Sequence, residues 1–211
     1  DQQVATHPLY REALAATQQR SIMHPHRLMN LFLIIVCYFD LLDDHHIVEF
    51  GSYRGGSALF MAHLLKRLYP GAQIYAHDTF AGMPTVDVTA DLHTKGDFAE
   101  ADLPGLLRAK ETQRLDHLHL VQGLVQDTFP HAPGQSDMRF GLAHFDMDIY
   151  EPTVFAQSAV WPQMTRGGFY IYDDATVSSC IGATQAVEEL IIERRMHSEQ
   201  VYPHFVFRVG L

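Results

Sequence analysis

Two short apolar runs, Phe140–Phe145 and Gly168–Tyr172, each stop abruptly in carboxylates: Asp146 and Asp148 after the first, Asp173 and Asp174 after the second. Runs this short, rich in aromatic and branched residues and bounded by turn formers, read as buried strands. The stretch between them, Thr153–Met164, can form a helix, so the unit reads strand–helix–strand. In an open parallel sheet such a unit brings both strand ends to one edge, where ligands bind. The four aspartates are therefore expected to converge on one crevice. Carboxylates that close repel unless protons or a divalent cation hold them, and oxygen donors suit Mg²⁺, Mn²⁺ or Ca²⁺. Any one of them alone reads equally well as a turn residue. Two pairs at the ends of adjacent strands favour a site.

The same logic extends upstream. Ile47–Phe50 is a strand that runs into Gly51-Ser-Tyr-Arg-Gly-Gly-Ser57 and then an amphipathic helix over Ala58–Leu68. Glycine lets backbone approach a ligand closely, and a helix start offers free N–H groups. The spacing is GxxxGG and not the dinucleotide fingerprint GxGxxG, so alone it is weak evidence. A second strand, Gln73–His77, ends at Asp78, where nucleotide ribose hydroxyls are commonly held. Thr79–Gly105 reads as a long polar binding loop or lid. A helix over Leu106–Arg114, a third strand over Leu118–Gln122 and a short helix near Val125–Phe129 complete the middle of the chain. Ile181–Glu193 reads as a helix and Val201–Val209 as an edge strand containing Pro203.

The N-terminal part differs. Asp1–Thr6 reads as frayed, Pro8–Arg20 as a helix with Leu9, Ala13, Leu14 and Thr17 on one face, and Pro25–Leu42 as a second helix with Leu28, Leu31, Ile35, Cys37 and Phe39 inward. The apolar run Leu31–Phe39 is too short to span a bilayer and lacks signal-peptide flanks, so it reads as a buried helix. With no repeat or evident linker, the expectation is one α/β domain over 1–211. A helical cap at 1–45 precedes a Rossmann-like core at 46–211 with a mostly parallel sheet and helices on both faces.

Fifteen basic against 25 acidic residues leave a formal charge of −10, which argues against nucleic-acid or anionic-membrane binding. Two cysteines far apart, Cys37 and Cys180, make no disulfide framework, and a reduced cytoplasmic protein is the simpler reading. Exposed apolar residues on the N-terminal helices would suit a homodimer.

Five motifs in order, VEFGSYRGGS at 48–57, HDTFAGMP at 77–84, GLVQDTFP at 123–130, DMDIYEPT at 146–153 and GGFYIYDDA at 167–175, resemble the macrocin O-methyltransferase family. The resemblance covers roughly Met23–Glu193. It implies a class I methyltransferase that uses S-adenosylmethionine to methylate a hydroxyl, sugar or phenolic, of a small-molecule natural product or metabolite. It places Glu49, Gly51 and Gly55, with Tyr53, Arg54 and Ser57 in the same loop, around the methionine end of the cofactor. Asp78 would take the ribose hydroxyls, with Thr79 and Phe80 beside the nucleoside, and Gly123 and Asp127 would lie on the adenine side. Asp146, Asp173 and Asp174 match metal ligands for Mg²⁺ or another divalent cation, Asp146 also bordering the cofactor, and Asp148 matches a general base.

The chemistry agrees with the residues. A neutral alcohol is a poor nucleophile; a divalent ion lowers its pKa and a nearby carboxylate or histidine can take the proton. His24, His26, His93 and His144 are alternative bases. A metal-dependent hydrolase and a glycosyltransferase could use the same aspartates, but neither has a task for Asp78 and the FAGMP segment.

Overall fold

The computed structural model describes residues 2–210, and of Pro130 the backbone alone. Six strands form one sheet: β1 His46–Phe50, β2 Ile74–Asp78, β3 Leu118–Gln122, β4 Phe140–Phe145, β5 Met164–Tyr172 and β6 Phe205–Arg208. Their order is β3-β2-β1-β4-β5-β6, with every pairing parallel except β5–β6. Strand β1 sits at the centre, as the alternation of strand and helix signals from Ile47 onward requires.

Period-two alternation divides the central strands between two cores. Ile47, Leu142, Phe169 and Ile171 face one cluster, while Val48, Phe50, Ala143, Phe145, Tyr170 and Tyr172 face the other. The first is covered by α2 Pro8–Ala16, α3 Pro25–Cys37, α4 Gly56–Leu68 and α5 Leu103–Thr112. The second is covered by α6 Val125–Thr128, α7 Tyr150–Val160 and α8 Ile181–Arg194. No helix among the described residues is long and apolar enough to cross a membrane.

Differences from the sequence reading are local. Gln2–Thr6 forms a short helix, α1, where fraying is expected, while Asp1 lies outside the described residues. Helix α2 stops at Ala16 because Gln18 and Gln19 take positive φ, and its buried face uses Tyr10, Ala13 and Ala16 with Leu14 exposed. Helix α3 ends at Cys37, which is exposed, and a 3₁₀ turn over Phe39–Leu41 carries Phe39 inward. Helix α7 begins three residues before the expected Thr153 and ends four before Met164, which instead opens β5. Pro203 lies outside β6, consistent with its missing ladder donor.

Candidate functional site

Strands β1, β2, β4 and β5 run parallel, so their C-terminal ends open on one edge, where a cavity of about 300 Å³ lies. At its β1 end the chain turns through Gly51, φ +86°, and Gly55, φ +78°, before α4 begins. A Cβ on Gly51 would lie 1.7 Å from the Asp146 carbonyl oxygen, so this glycine lets β1 and β4 leave the sheet side by side. A Cβ on Gly55 would press on the Leu106 side chain at 2.4 Å. Both glycines are thus demanded by neighbouring protein, before any ligand is considered.

Asp78, at the end of β2, faces the cavity and grips this turn. Its Oδ2 accepts the Ser52 and Tyr53 N–H groups at 2.7 Å each, and its Oδ1 accepts Phe80 N–H at 2.6 Å. A ligand hydroxyl at Asp78 would share a carboxylate already holding two loops. Beneath the turn, Ser52 Oγ donates to buried Glu49, whose other oxygen lies 3.1 Å from His144 Nδ1. Glu49 and His144 are directly paired in the β1–β4 register, which explains their contact.

The opposite end holds the carboxylates. Oxygens of Asp146, Asp173 and Asp174 lie within 4.8 Å of one another, and Asp173 and Asp174 are 3% and 5% exposed. Burial first, then repulsion from the other aspartates, holds the Asp146 and Asp174 carboxyls well above the usual range. Burial likewise raises Asp148. Asp173 goes the other way: burial pushes it up, but the His204 hydrogen bond and the charges of His204, His144 and Arg27 bring it below its ordinary value. Arg27, from α3, makes an ion pair with its Oδ2, and His204 Nε2 lies 2.9 Å from its Oδ1. The donor set fits a hard divalent cation: three carboxyl groups converge, and an ion would relieve the burial and mutual repulsion that push Asp146 and Asp174 upward.

Asp148 does not continue the extended strand. It sits at φ +62°, its N–H donates to Asp174 Oδ2 at 3.0 Å, and its Oδ1 accepts from the Cys180 thiol at 3.2 Å. In extended backbone a residue two places beyond Asp146 would share its side, which the positive φ rules out here. A left-handed turn, pinned by Asp174, keeps it at the cavity wall instead.

Comparison with known proteins identifies this arrangement. The profile of the family described as macrocin-O-methyltransferase (TylF) matches residues 40–199, well over half of the chain. The chain belongs to the macrocin O-methyltransferase family. A curated relative, 8-demethyl-8-(2,3-dimethoxy-alpha-L-rhamnosyl)-tetracenomycin-C 4'-O-methyltransferase of Streptomyces olivaceus, is 31% identical over 144 residues, covering 64% of this chain and 54% of the relative. Mycinamicin III 3''-O-methyltransferase of Micromonospora griseorubida is 26% identical over 148 residues, covering 64% and 56%. The chain thus spans little more than half the length of these relatives. Among solved structures, the O-methyltransferase NovP superposes with a TM-score of 0.78 at 20% identity, covering 96% of this chain and 97% of NovP. Calicheamicin methyltransferase CalS11 gives 0.76 at 20% identity, covering 96% and 92%. These two show a shared fold.

Within this macrocin O-methyltransferase fold, Gly51, Tyr53, Ser57, Asp78, Thr79, Gly123, Asp146, Asp148, Asp173 and Asp174 all border the one cavity. Five other cofactor candidates do not, among them Gly55, which is held against Leu106, and neither do His26 and His144 among the alternative bases. Glu49 lies behind the turn, Phe80 is buried beside Asp78, Arg54 stacks over the Tyr53 ring, and Asp127 is exposed on α6. At Asp127's end of the cavity the wall is Gly123, Leu124 and Gln126. No sequence motif marks Arg27 or His204, which reach Asp173 across separations of 146 and 31 residues. Cys180 and His93 also border the cavity; only the chain's return from β5 into α8 brings the thiol there.

Proposed function

We propose that the protein is an S-adenosylmethionine-dependent O-methyltransferase acting on a hydroxyl, most readily a sugar hydroxyl, of a small-molecule natural product, with divalent-metal assistance. One observation carries the reading: a single cavity joins the β1 glycine turn and Asp78 at one end to the buried aspartates at the other. Both curated relatives described above are named as O-methyltransferases, one of them acting on a rhamnosyl-bearing tetracenomycin, which supports the acceptor class. The bound groups would supply an electrophilic methyl sulfonium and a Lewis acid for the acceptor oxygen.

The chain's own residues divide the remaining work. The backbone around Gly51 and the carboxylate of Asp78 shape the end that would take the nucleoside. Asp146, Asp173 and Asp174 would hold the cation. Their surplus negative charge also favours a positive sulfonium nearby. Asp148, at the cavity wall, would accept the hydroxyl proton. The hydrolase and glycosyltransferase readings leave the Asp78-gripped turn without a task.

Calorimetry with S-adenosylhomocysteine, with and without Mg²⁺, tests the assignment. Binding in the micromolar range is expected; no heat in either condition would end the reading. In an active preparation, Asp148→Asn should keep that binding while methyl transfer falls by about 10²–10⁴.

A further inference from the structure

Beside the aspartates, but built from different donors, three side chains from three separate segments meet at the cavity wall. His93 comes from the long loop between β2 and α5, Asp148 from the turn after β4, and Cys180 from the residue that precedes α8. Cys180 Sγ lies 3.2 Å from Asp148 Oδ1 and 3.7 Å from His93 Nε2, and His93 Nε2 lies 4.0 Å from Asp148 Oδ1. Zn²⁺ binds sulfur at about 2.3 Å and nitrogen or oxygen at about 2.0–2.2 Å, so a tetrahedral ion sets such atoms roughly 3.3–3.6 Å apart. Two sides of the triangle lie within about 0.4 Å of that range, and the His93–Asp148 side must close by roughly 0.4–0.7 Å.

The surroundings are those of a ligand set. His93 Nδ1 faces Asp97 Oδ2 at 3.3 Å, and Asp97 is itself fixed by Thr94 N–H and Oγ–H at 2.9 Å each. A carboxylate behind an imidazole orients the ring and leaves the other nitrogen free to ligate. The loop that carries His93 is anchored where it must be: Asp91 Oδ1 accepts Tyr150 N–H at 2.9 Å, and a Cβ on Gly182 would lie 1.8 Å from that same oxygen. The loop is therefore packed against the starts of α7 and α8, which holds His93 opposite Cys180.

We infer that His93, Asp148 and Cys180 form a second metal site, for Zn²⁺ or a similar borderline cation, with its fourth position open to the cavity. Thiolate and imidazole donors select such ions over Mg²⁺, whereas the all-oxygen aspartates select the reverse. Thiolate, carboxylate and neutral imidazole together carry two negative charges, which the ion balances. Binding replaces the S–H bond of Cys180 by an S–Zn bond and releases that proton to solvent. The ion would tie the loop to α8 and narrow the cavity between them. The site shares Asp148 with the methyl-transfer reading, so an ion here would occupy that reading's proton acceptor, while its metal binding needs no methyl donor.

The test uses the reduced, EDTA-treated protein in excess Mg²⁺, titrated with Co²⁺ as the spectroscopic probe and then with Zn²⁺ in competition. One Co²⁺ per chain is expected, with a thiolate-to-metal charge-transfer band and the strong visible bands of a four-coordinate ion. Co²⁺ binding should release one thiol proton, and Zn²⁺ should then erase the bands by displacing Co²⁺ with no further proton release. Cys180→Ser should abolish the charge-transfer band, and Cys37→Ser should leave it intact. Asp97→Asn should weaken Zn²⁺ binding by about 10–100-fold. His93→Gln, a change in a loop outside both cores, should weaken it by more and decides the matter if Cys180→Ser fails to fold. No charge-transfer band in the parent protein, a band that follows Cys37, or unchanged affinity in His93→Gln would each overturn the site. Loss of the band in Asp146→Asn would place the ion among the aspartates and overturn it too.

Discussion

Replacing Asp78 by alanine removes the acceptor for three backbone N–H groups at once. Two of them, Ser52 and Tyr53, belong to the turn after β1, and the third, Phe80, to the turn after β2. Hydrogen bonds to a charged group contribute about 1.5–3 kcal/mol each, and a carboxylate oxygen shared between two donors gives less than two full bonds. Asp78 is half-buried beside the cavity, so water can replace part of what is lost. The expected cost to folding is about 2–4 kcal/mol. If Asp78 also takes ribose hydroxyls, S-adenosylhomocysteine affinity should fall by a further 1.5–3 kcal/mol or so, roughly 10–100-fold. Urea unfolding measures the first quantity and calorimetry the second. Asp78→Asn keeps one oxygen acceptor and should cost about half as much stability. A large loss of stability with unchanged affinity would make Asp78 a loop clamp and no more. Unchanged stability would refute the reasoning from these hydrogen bonds.

Three further outcomes are expected. Gly51→Ala places a methyl group against the Asp146 carbonyl at positive φ and should destabilise by about 3 kcal/mol or more, whereas Gly55→Ala meets a flexible leucine and should cost less; equal melting shifts for the two would contradict this. Mg²⁺ should raise the melting temperature of EDTA-treated protein, by the equivalent of about 2.7 kcal/mol at a hundredfold excess over its dissociation constant, and Asp146→Asn should remove the gain. A melt indifferent to Mg²⁺ would count against the oxygen site. Buried His77 has its pKa lowered to about 4 by burial, so it folds neutral and its contribution is whole above the ordinary value near 6.5. That stability is lost as pH falls from about 6.5 through 4, by about 3 kcal/mol in total, and His77→Gln should flatten this part of the pH profile of urea unfolding.

What could be read from the sequence was whatever short-range pattern encodes. Ile47–Phe50 and Phe140–Phe145 are bounded by turn residues and buried on both faces, and the half-buried edge strand Leu118–Gln122 is bounded by turn residues too, so their limits were legible almost to the residue. The aspartates were legible because a parallel sheet sends successive strand ends to one edge. The ends of α2 and α3 were not, since Gln18, Gln19 and the 3₁₀ turn at Phe39 carry no helix-stop residue. Glu49 and Asp127 lie in the right motifs, yet one faces inward to His144 and the other outward to solvent, which a motif cannot distinguish. Arg27 and His204 were illegible for a different reason: their link to Asp173 exists only because α3 and β6 pack at the same end of β5.

That packing gives the N-terminal helices a role beyond covering the sheet. Segment 20–24 and Arg27 form one side of the cavity, and a Cβ on Gly56 would lie 2.3 Å from Ser21 N, so the cap is pressed onto the first turn of α4. Arg27 reaches from this cap to Asp173. From the sheet side, Ser52, Glu49 and His144 form an unbroken buried line from the glycine turn toward the same aspartate. The two ends of the cavity therefore share one electrostatic network, in which Asp173 is the common member. Its carboxyl is brought down while those of Asp146 and Asp174 are pushed up, because at Asp173 the His204 hydrogen bond, with His204, His144 and Arg27 alongside, outweighs burial. An ion arriving among the three would meet one aspartate already paired and two in need of charge. Asp146 and Asp174 would then supply most of the affinity, with Asp173 fixing the position through Arg27 and His204.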